Sequence, residues 1–276
     1  MVNGELINRI VRHYLKYDRD NPFIFISMLL AFLGISAGVM VLMVAMGIMN
    51  GTEKEFKKRL FVMNYPITLI PSTHGVANDN LISKLKIEFP NLKFSPYYTT
   101  QVITKSGSNV NGSILYGVDF QKEAKINRVF REAIENSIEL DSKYKIVMGK
   151  TLADELLVSI GDKLTLYFSE QRAIGFGTMP LQKRFKAIAK FDSGLKAYDK
   201  AIIYTSLKPF EKILKREEGI YDGIHIYSNR AMDDTESIKN YLKDIGLQNL
   251  IVVEGWWEQN KSFFSAMEME KRALFL

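Results

Sequence analysis

The chain is 276 residues long, has no cysteine and carries a formal net charge of +6. The missing cysteines exclude a disulfide framework and thiol chemistry, and the three histidines, His13, His74 and His225, stand far apart in no metal-ligand spacing. The charge is spread over lysines interleaved with acids, which describes a solvated surface rather than a nucleic-acid footprint; no nucleic-acid-binding motif, repeat or low-complexity run is present.

In chain order, residues 1–22 form a first segment in which Leu6, Ile7, Ile10, Val11 and Tyr14 recur at helical spacing while Arg9, Arg12 and Lys16 point elsewhere. Such a segment lies at a membrane surface or begins the helix that follows. Asn21-Pro22 sets the start of that helix, because proline is tolerated in a first turn and the residue before it avoids the α region. Phe23 to Met49 is then 27 residues without a charge, about 40 Å of helix at ~1.5 Å per residue, against a hydrocarbon core of roughly 30 Å. It reads as a membrane span. A signal peptide has a much shorter apolar region, and only Ser27 and Ser36 interrupt this one.

Within the span Gly34 and Gly38 form a small-xxx-small pair, as do Gly47 and Gly51, which permits close approach of neighbouring helices. Met40, Met43, Met46 and Met49 recur every third residue and form a drifting, adaptable stripe. The stripe suits a surface for acyl chains, and equally an ordinary lipid-facing or helix-packing face. Basic residues flank both ends, so charge alone nearly ties the orientation; the short N-terminal segment is placed in the cytoplasm because long domains translocate largely regardless of charge. Residues 50–65 keep the helical pattern, with Glu53/Lys57 and Glu55/Arg59 pairs, and form a stalk that Pro66 ends.

The soluble region alternates short strands and helices, an α+β fold. Strands are predicted at Ile67–Ile70, Thr99–Thr104, Ser113–Val118, Lys145–Met148, Lys163–Phe168, Arg184–Phe191, Ala201–Tyr204, Ile224–Tyr227 and Leu250–Val253. Helices are predicted at Asn80–Glu88, Gln121–Ile134, Thr151–Val158, Leu207–Arg216 and Met232–Ile245. With joints at Asp141-Ser142 and Tyr221-Asp222-Gly223, residues 66–141 and 222–254 make one subdomain and 142–221 an inserted one. Trp256 and Trp257 then introduce residues 255–276, expected to be the start of a second, cut-off membrane helix carrying Phe263, Phe264 and Met267.

No phosphate loop, nucleophile elbow or zinc-protease motif occurs, and the acidic pairs Asp154-Glu155 and Asp233-Asp234 read as solvent-facing helix positions. The informative stretch is Ser169 to Lys183. Before it Leu164, Leu166 and Phe168 alternate with polar residues, and after it Phe185, Ala187, Ala189 and Phe191 do the same. A period of two on both sides of a loop too long for a tight turn predicts a protruding hairpin with Phe176, Met179 and Leu181 at its tip, beside Arg172, Lys183 and Arg184. It is either a contact element or a bare surface loop.

Four segments resemble the lipoprotein-releasing ABC transporter permeases of the MacB-like and FtsX-like superfamily. Arg12 to Leu60, with R-x-Y-L, paired glycines and M-N-G before a charged stalk, resembles their first membrane helix. Gly149 to Tyr167 resembles their G-x-x-L-A-x-x-L-x-V-x-x-G-D element, Gly177 to Phe191 their G-x-x-P-x-Q-R-x-F-x-V-x-G-x-F element, and Phe263 to Leu276 the start of their second helix.

The resemblance implies a non-enzymatic permease subunit without a cofactor of its own, ATP being bound by a cytoplasmic ATPase partner. It implies a bacterial inner-membrane location with the large domain in the periplasm. It also implies a second permease subunit, a lipoprotein substrate and a soluble periplasmic carrier. The hairpin would be the hook that grips the carrier, through Arg172, Phe176, Gly177, Met179, Pro180, Gln182, Lys183 and Arg184. Gly34, Gly38, the four methionines of the stripe, Phe263, Phe264 and Met267 would line the lipoprotein cavity or pack its helices. Two departures put the residue matching out by one: Lys183 occupies the first basic position, displacing Arg to 184, and Ala189 stands where the family has Gly. Other readings are a macrolide-efflux-type or cell-division-type permease of the same superfamily, or a single-span sensor with an extracytoplasmic ligand-binding domain.

Overall fold

The computed structural model describes residue 9, residues 22–63, 65–138, 142–174 and 177–259, and scattered positions from 261 to 272. The N-terminal amphipathic segment, apart from Arg9, and the hook residue Phe176 lie outside the described residues, as do Phe263, Phe264 and Met267 of the C-terminal segment. The chain divides into two compact units, residues Met1–Phe56 with Glu270–Leu276, and residues Lys57–Met269.

The first unit is dominated by helix α1, whose full extent is Pro22–Met63. The expected span and the expected stalk are therefore one continuous helix. Its segment Phe25–Gly51 is long and apolar enough to cross a membrane, and none of it is buried within the chain. Phe32, Ile35, Met40, Val41 and Met43 are all about two-thirds exposed. Leaving so many large side chains unburied forgoes about 1.5–3 kcal/mol each in water, whereas hydrocarbon removes that penalty.

The second unit is built on a nine-stranded sheet. Its strands are β1 (Ile67–Pro71), β3 (Lys93–Ser106), β4 (Asn109–Val118), β5 (Lys145–Gly149), β6 (Lys163–Ile174), β7 (Gly177–Phe191), β8 (Ile202–Ser206), β10 (Gly223–Tyr227) and β11 (Ile251–Gly255); β2 (Ala77–Asn78) and β9 (Ile220–Tyr221) pair separately. The strand order is β11-β1-β10-β3-β4-β8-β5-β7-β6, and β6 returns to pair with β3. Six strands therefore close into a ring.

The long strand β3 makes this possible. One of its edges pairs with β10 over residues 93–97 and then with β6 over 102–105, while the other edge pairs with β4. Closure leaves the ring without an open edge. The remaining edge, at β11, is partly satisfied from within: Ile251 N–H donates to the Leu247 carbonyl at 3.0 Å and Gly255 N–H to Glu258 Oε2 at 3.0 Å. Strands from 66–141, 142–221 and 222–254 thus share one sheet. Asp222, in one of the expected joints, is tied to β3 by its N–H to the Tyr97 carbonyl and by the Thr99 N–H to its carboxylate, at 3.0 and 2.8 Å.

Every predicted strand overlaps an observed one, and the alternation behind the prediction has a direct cause. Leu164, Leu166, Phe168, Phe185 and Ala187 point into the ring and are buried. The same apolar cluster continues under the open part of the sheet, where helices α2 (Asp79–Glu88) and α8 (Ala231–Asp244) supply Leu81, Leu85, Ile238 and Leu242. A second cluster lies outside the ring, where α3 (Phe120–Ile126) and α4 (Arg128–Glu135) cover Val147, Ile188 and Tyr204. That cover explains why Ile188, on the outward face of β7, is buried.

Three helical expectations need correction. Gln121–Ile134 is two helices, because Asn127 adopts an extended conformation and its side chain accepts the Phe130 N–H at 3.0 Å, restarting the helix as a cap. The helix expected at Thr151–Val158 is α5 (Lys150–Glu155), stopped before Leu157, which is left-handed with φ 52°. Helix α6 (Lys196–Ala201) was not anticipated; at six residues it is too short to show a period. The remaining helices, α7 (Leu207–Leu214) and α9 (Trp256–Gln259), precede β9 and follow β11.

Candidate partner-binding hairpin

The hairpin β6–β7 has two halves. In the root, Lys163 to Tyr167 of β6 pair with Lys186 to Gln182 of β7, with β3 on the far side of β6 from Thr165 to Phe168 and β5 on the far side of β7 from Lys186 onward. Beyond Phe168 neither strand has a further strand partner among the described residues. Gln171 pairs with Pro180, Arg172 with Met179, Ala173 with Thr178 and Ile174 with Gly177; residues 175 and 176 between the strands lie outside the described residues. The stretch expected to be a loop too long for a tight turn is thus mostly ladder. Backbone hydrogen bonding between the two strands offsets the cost of extending them away from the ring.

The halves are separated by a bulge. Between the pairs Tyr167–Gln182 and Gln171–Pro180, three residues of β6 face the single residue Leu181 of β7. Extra residues on one strand bend and twist the pair. Leu181 is buried at this bend and anchors it. A groove of about 530 Å³ opens beside the root, lined by Val102, Ile103, Ile114, Phe168 and Pro180 among others. Ile103 is half exposed there, so the groove is apolar at its rim as well as at its floor.

Pleating sorts the candidate residues by face. Pro180, Gln182 and Arg184, two apart, are all exposed and lie on the outward face of β7. Lys183 lies on the other face, half-buried, with Nζ 4.2 Å from the centroid of the Tyr144 ring, a cation–π distance. The structure therefore brings Pro180, Gln182 and Arg184 together and removes Lys183 from them. Arg184, rather than Lys183, is the outward basic residue. Arg172, Gly177 and Met179 occupy ladder positions in the distal half.

On α1, Met40 and Met43 are 68% exposed, and Met46 and Met49 are partly covered. Apart from the adjoining backbone of its own helix, a Cβ placed on Gly34 or Gly38 would meet nothing within 4 Å among the described residues. Among the described residues no group of three or more His, Asp or Glu is placed to hold a metal ion.

A closed ring sharing one long strand with an open sheet, preceded by a membrane-length helix, defines a class that comparison with known families identifies. Residues 28–245 match the MacB-like periplasmic core domain, and the chain belongs to that family. Its similarity to curated proteins is to lipoprotein-releasing permeases. It is 26% identical over 263 residues to the lipoprotein-releasing system transmembrane protein LolC of Xylella fastidiosa (strain Temecula1 / ATCC 700964), covering 95% of this chain and 63% of that protein.

The LolC of Haemophilus influenzae is 24% identical over 90% of this chain and 60% of its own length, and the LolE of the same organism 27% identical over 57% and 39%. The chain thus spans less than two-thirds of the length of these relatives. Their names describe transmembrane proteins of a releasing system, not catalytic subunits. Among solved structures, the periplasmic region of MacB from Actinobacillus actinomycetemcomitans aligns with a TM-score of 0.48 at 11% identity, over 74% of this chain and 94% of that one. The extracellular domain of the transporter YknZ from Gram-positive bacteria aligns with a TM-score of 0.46 at 12% identity, over 68% and 99%.

Proposed function

We propose that this chain is the membrane-helix and extracytoplasmic portion of a permease subunit that releases lipoproteins from the bacterial inner membrane and passes them to a soluble periplasmic carrier. The observation that carries the reading is the combination, in one chain similar to LolC over nearly its whole length, of an unburied apolar helix and a two-stranded projection from a closed ring. Beyond Phe168 the projection has no further strand partner among the described residues, and contact with a partner is the physical use this reading gives it.

In this reading the chain binds no cofactor and performs no catalysis. A separate cytoplasmic ATPase supplies the work, a second permease subunit completes the pathway, and nucleic acid has no part. Acyl chains favour an apolar gap between helices by about 0.8 kcal/mol per buried CH₂, and closing that gap reverses the preference. Met40, Met43, Met46 and Met49 supply an adaptable surface for chains of differing length, with Gly34 and Gly38 admitting a close neighbour. The carrier is gripped by the outward face of β7, through Pro180, Gln182 and Arg184, together with Arg172, Phe176, Gly177 and Met179 nearer the turn. The likeness to LolC over the full chain does not favour a macrolide-efflux permease or a single-span sensor.

Replacing residues 176–180 by Gly and Ser in the intact permease complex tests this. Carrier capture in a pull-down is expected to be lost while ATP hydrolysis is retained; undiminished capture refutes the assignment. Orientation is tested separately. Because the chain has no cysteine, a Lys86→Cys variant is expected to react with a membrane-impermeant thiol reagent from the periplasmic side, and protection from it refutes a periplasmic domain.

A further inference from the structure

The outer surface of the ring is covered unevenly. Over β5, β7 and β8, helices α3 and α4 bury Val147, Ile188, Ile202 and Tyr204. Over β4, β3 and β6 the outward apolar side chains stay in the open: Val110 is 56% exposed, Ile103 52% and Ile114 36%. The solvated face of an antiparallel sheet is ordinarily polar. Here large apolar residues stand on neighbouring strands instead of being scattered singly.

Register arranges them in rows. Gly112, Ile103, Tyr167 and Gln182 lie opposite one another across β4, β3, β6 and β7, and Val110, Lys105, Thr165 and Arg184 form the adjacent row. Directly opposed residues share a face. The outward face of β7 is therefore continuous with the exposed apolar residues of β3 and β4, and the groove of about 530 Å³ lies within that surface.

Gly112 opens the floor of the groove. A Cβ there would meet nothing within 4 Å among the described residues, and its φ lies outside the left-handed region. The fold therefore does not require glycine at this position, and glycine inside a strand weakens it. What the bare backbone leaves is an unobstructed approach to Ile103. The border of the surface has one sign of charge. Its outward positions on β3, β4, β6 and β7 include the exposed cations Lys105, Lys163 and Arg184 and, among the described residues from Gln101 to Lys105, Val110 to Ile114, Lys163 to Ser169 and Pro180 to Arg184, no carboxylate.

We propose that the carrier's docking face runs from β7 across β6 and β3 to β4, and that the groove over Gly112 receives an apolar ridge of the carrier whose flanking carboxylates meet Lys105, Lys163 and Arg184. The inference rests on the carrier reading above and adds the shape and charge that the carrier must offer. An apolar centre with a polar, charged border is the anatomy of a protein–protein contact. An anionic membrane surface matches the charge but not the shape, because lipid takes up side chains that protrude and these line a hollow.

The test titrates purified carrier onto the intact permease complex. Gly112→Gln fills the groove where no atom of the chain needs to move, and is expected to weaken carrier binding at least about tenfold while unfolding remains as in the parent. Lys105→Glu is expected to reduce the salt dependence of binding. A photo-crosslinking residue in place of Val110 is expected to join the carrier, whereas one in place of Ile87, 83% exposed on α2 and outside these rows, is not. Parent-like affinity in Gly112→Gln, parent-like salt dependence in Lys105→Glu, or a Val110 adduct with lipid and none with the carrier overturns the inference. Should Gly112→Gln fail to fold, the Val110 adduct decides alone. Each of these failures leaves the carrier reading standing so long as replacement of residues 176–180 abolishes capture; if that replacement also binds as the parent does, the reading has failed and this inference with it.

Discussion

The two halves of the β6–β7 hairpin share the same pair of strands and serve opposite ends. In the root β6 is flanked by β3 from Thr165 and β7 by β5 from Lys186, and Leu164, Leu166, Phe168 and Phe185 fill the ring. In the distal half the ladder continues with no further strand partner among the described residues, and the bulge at Leu181 marks the change. The lesson is that the root is constrained by packing and the distal half by whatever it meets. Substitutions in the two halves should therefore separate into losses of stability and losses of binding.

The largest effect is expected at Phe185, which is 1% exposed and faces the ring interior. Phe185→Ala removes a ring that the surrounding strands cannot collapse to replace, at a cost of about 3–5 kcal/mol. Denaturant unfolding of the detergent-solubilised chain measures it. A loss below about 1 kcal/mol, the range of an ordinary exposed site, would show that the root is not packed as described.

Next in size is Asn127→Ala, which extends the comparison to the helical cover outside the ring. The substitution removes the cap of α4 and a donor from the buried network around Glu123. Loss of the cap costs about 0.5–2 kcal/mol, and the unpaired buried acceptor adds to it. If the stability change is instead negligible, and hydrogen exchange at Val129 and Phe130 is unaltered, the two helices do not depend on this residue.

The same contrast explains what the sequence made legible. Alternation in β6 and β7 was visible because one face of each strand fills the ring, and the membrane-length helix was visible from its apolar run alone. The distal ladder was hidden because Gln171 to Pro180 show no alternation of apolar and polar residues that would mark a strand. Closure of the ring was hidden for a different reason: β3 changes partner from β10 to β6 midway, and long-range pairing leaves no local trace. Asn127 carried a readable cap signal that the helical pattern on either side of it overrode. Tyr65, Glu123 and His225 carried none, being 58 to 160 residues apart in the chain and adjacent only once the sheet has formed.

A smaller effect is expected where the root meets the surface. Lys183 lies over the Tyr144 ring, and Lys183→Met keeps the stem while removing the charge. A cation–π contact at such a half-exposed position contributes about 0.5–1 kcal/mol, which is the loss of stability expected. Carrier capture by the intact permease should be unaffected, because Lys183 faces away from Pro180, Gln182 and Arg184. Loss of capture in this variant alone would place the binding face on the wrong side of β7.

The smallest stability effect belongs to the outward face itself. Pro180, Gln182 and Arg184 are exposed, and replacing all three by Ala is expected to change unfolding free energy by no more than about 0.5 kcal/mol per site. Pro180 stands where β7 faces Gln171, and proline at the margin of a two-stranded ribbon blunts pairing with a further strand. Pro180→Ala restores an N–H there without requiring any buried group to move. The triple variant should therefore unfold like the parent in denaturant and fail to capture the carrier, while Lys183→Met binds normally. If the triple variant is destabilised as strongly as Phe185→Ala, the outward face is part of the fold and the division between the two halves of the hairpin does not hold. If it folds and still captures the carrier, contact is made by residues nearer the turn, and single substitutions at Arg172 and Met179 become the sites at which binding should fall.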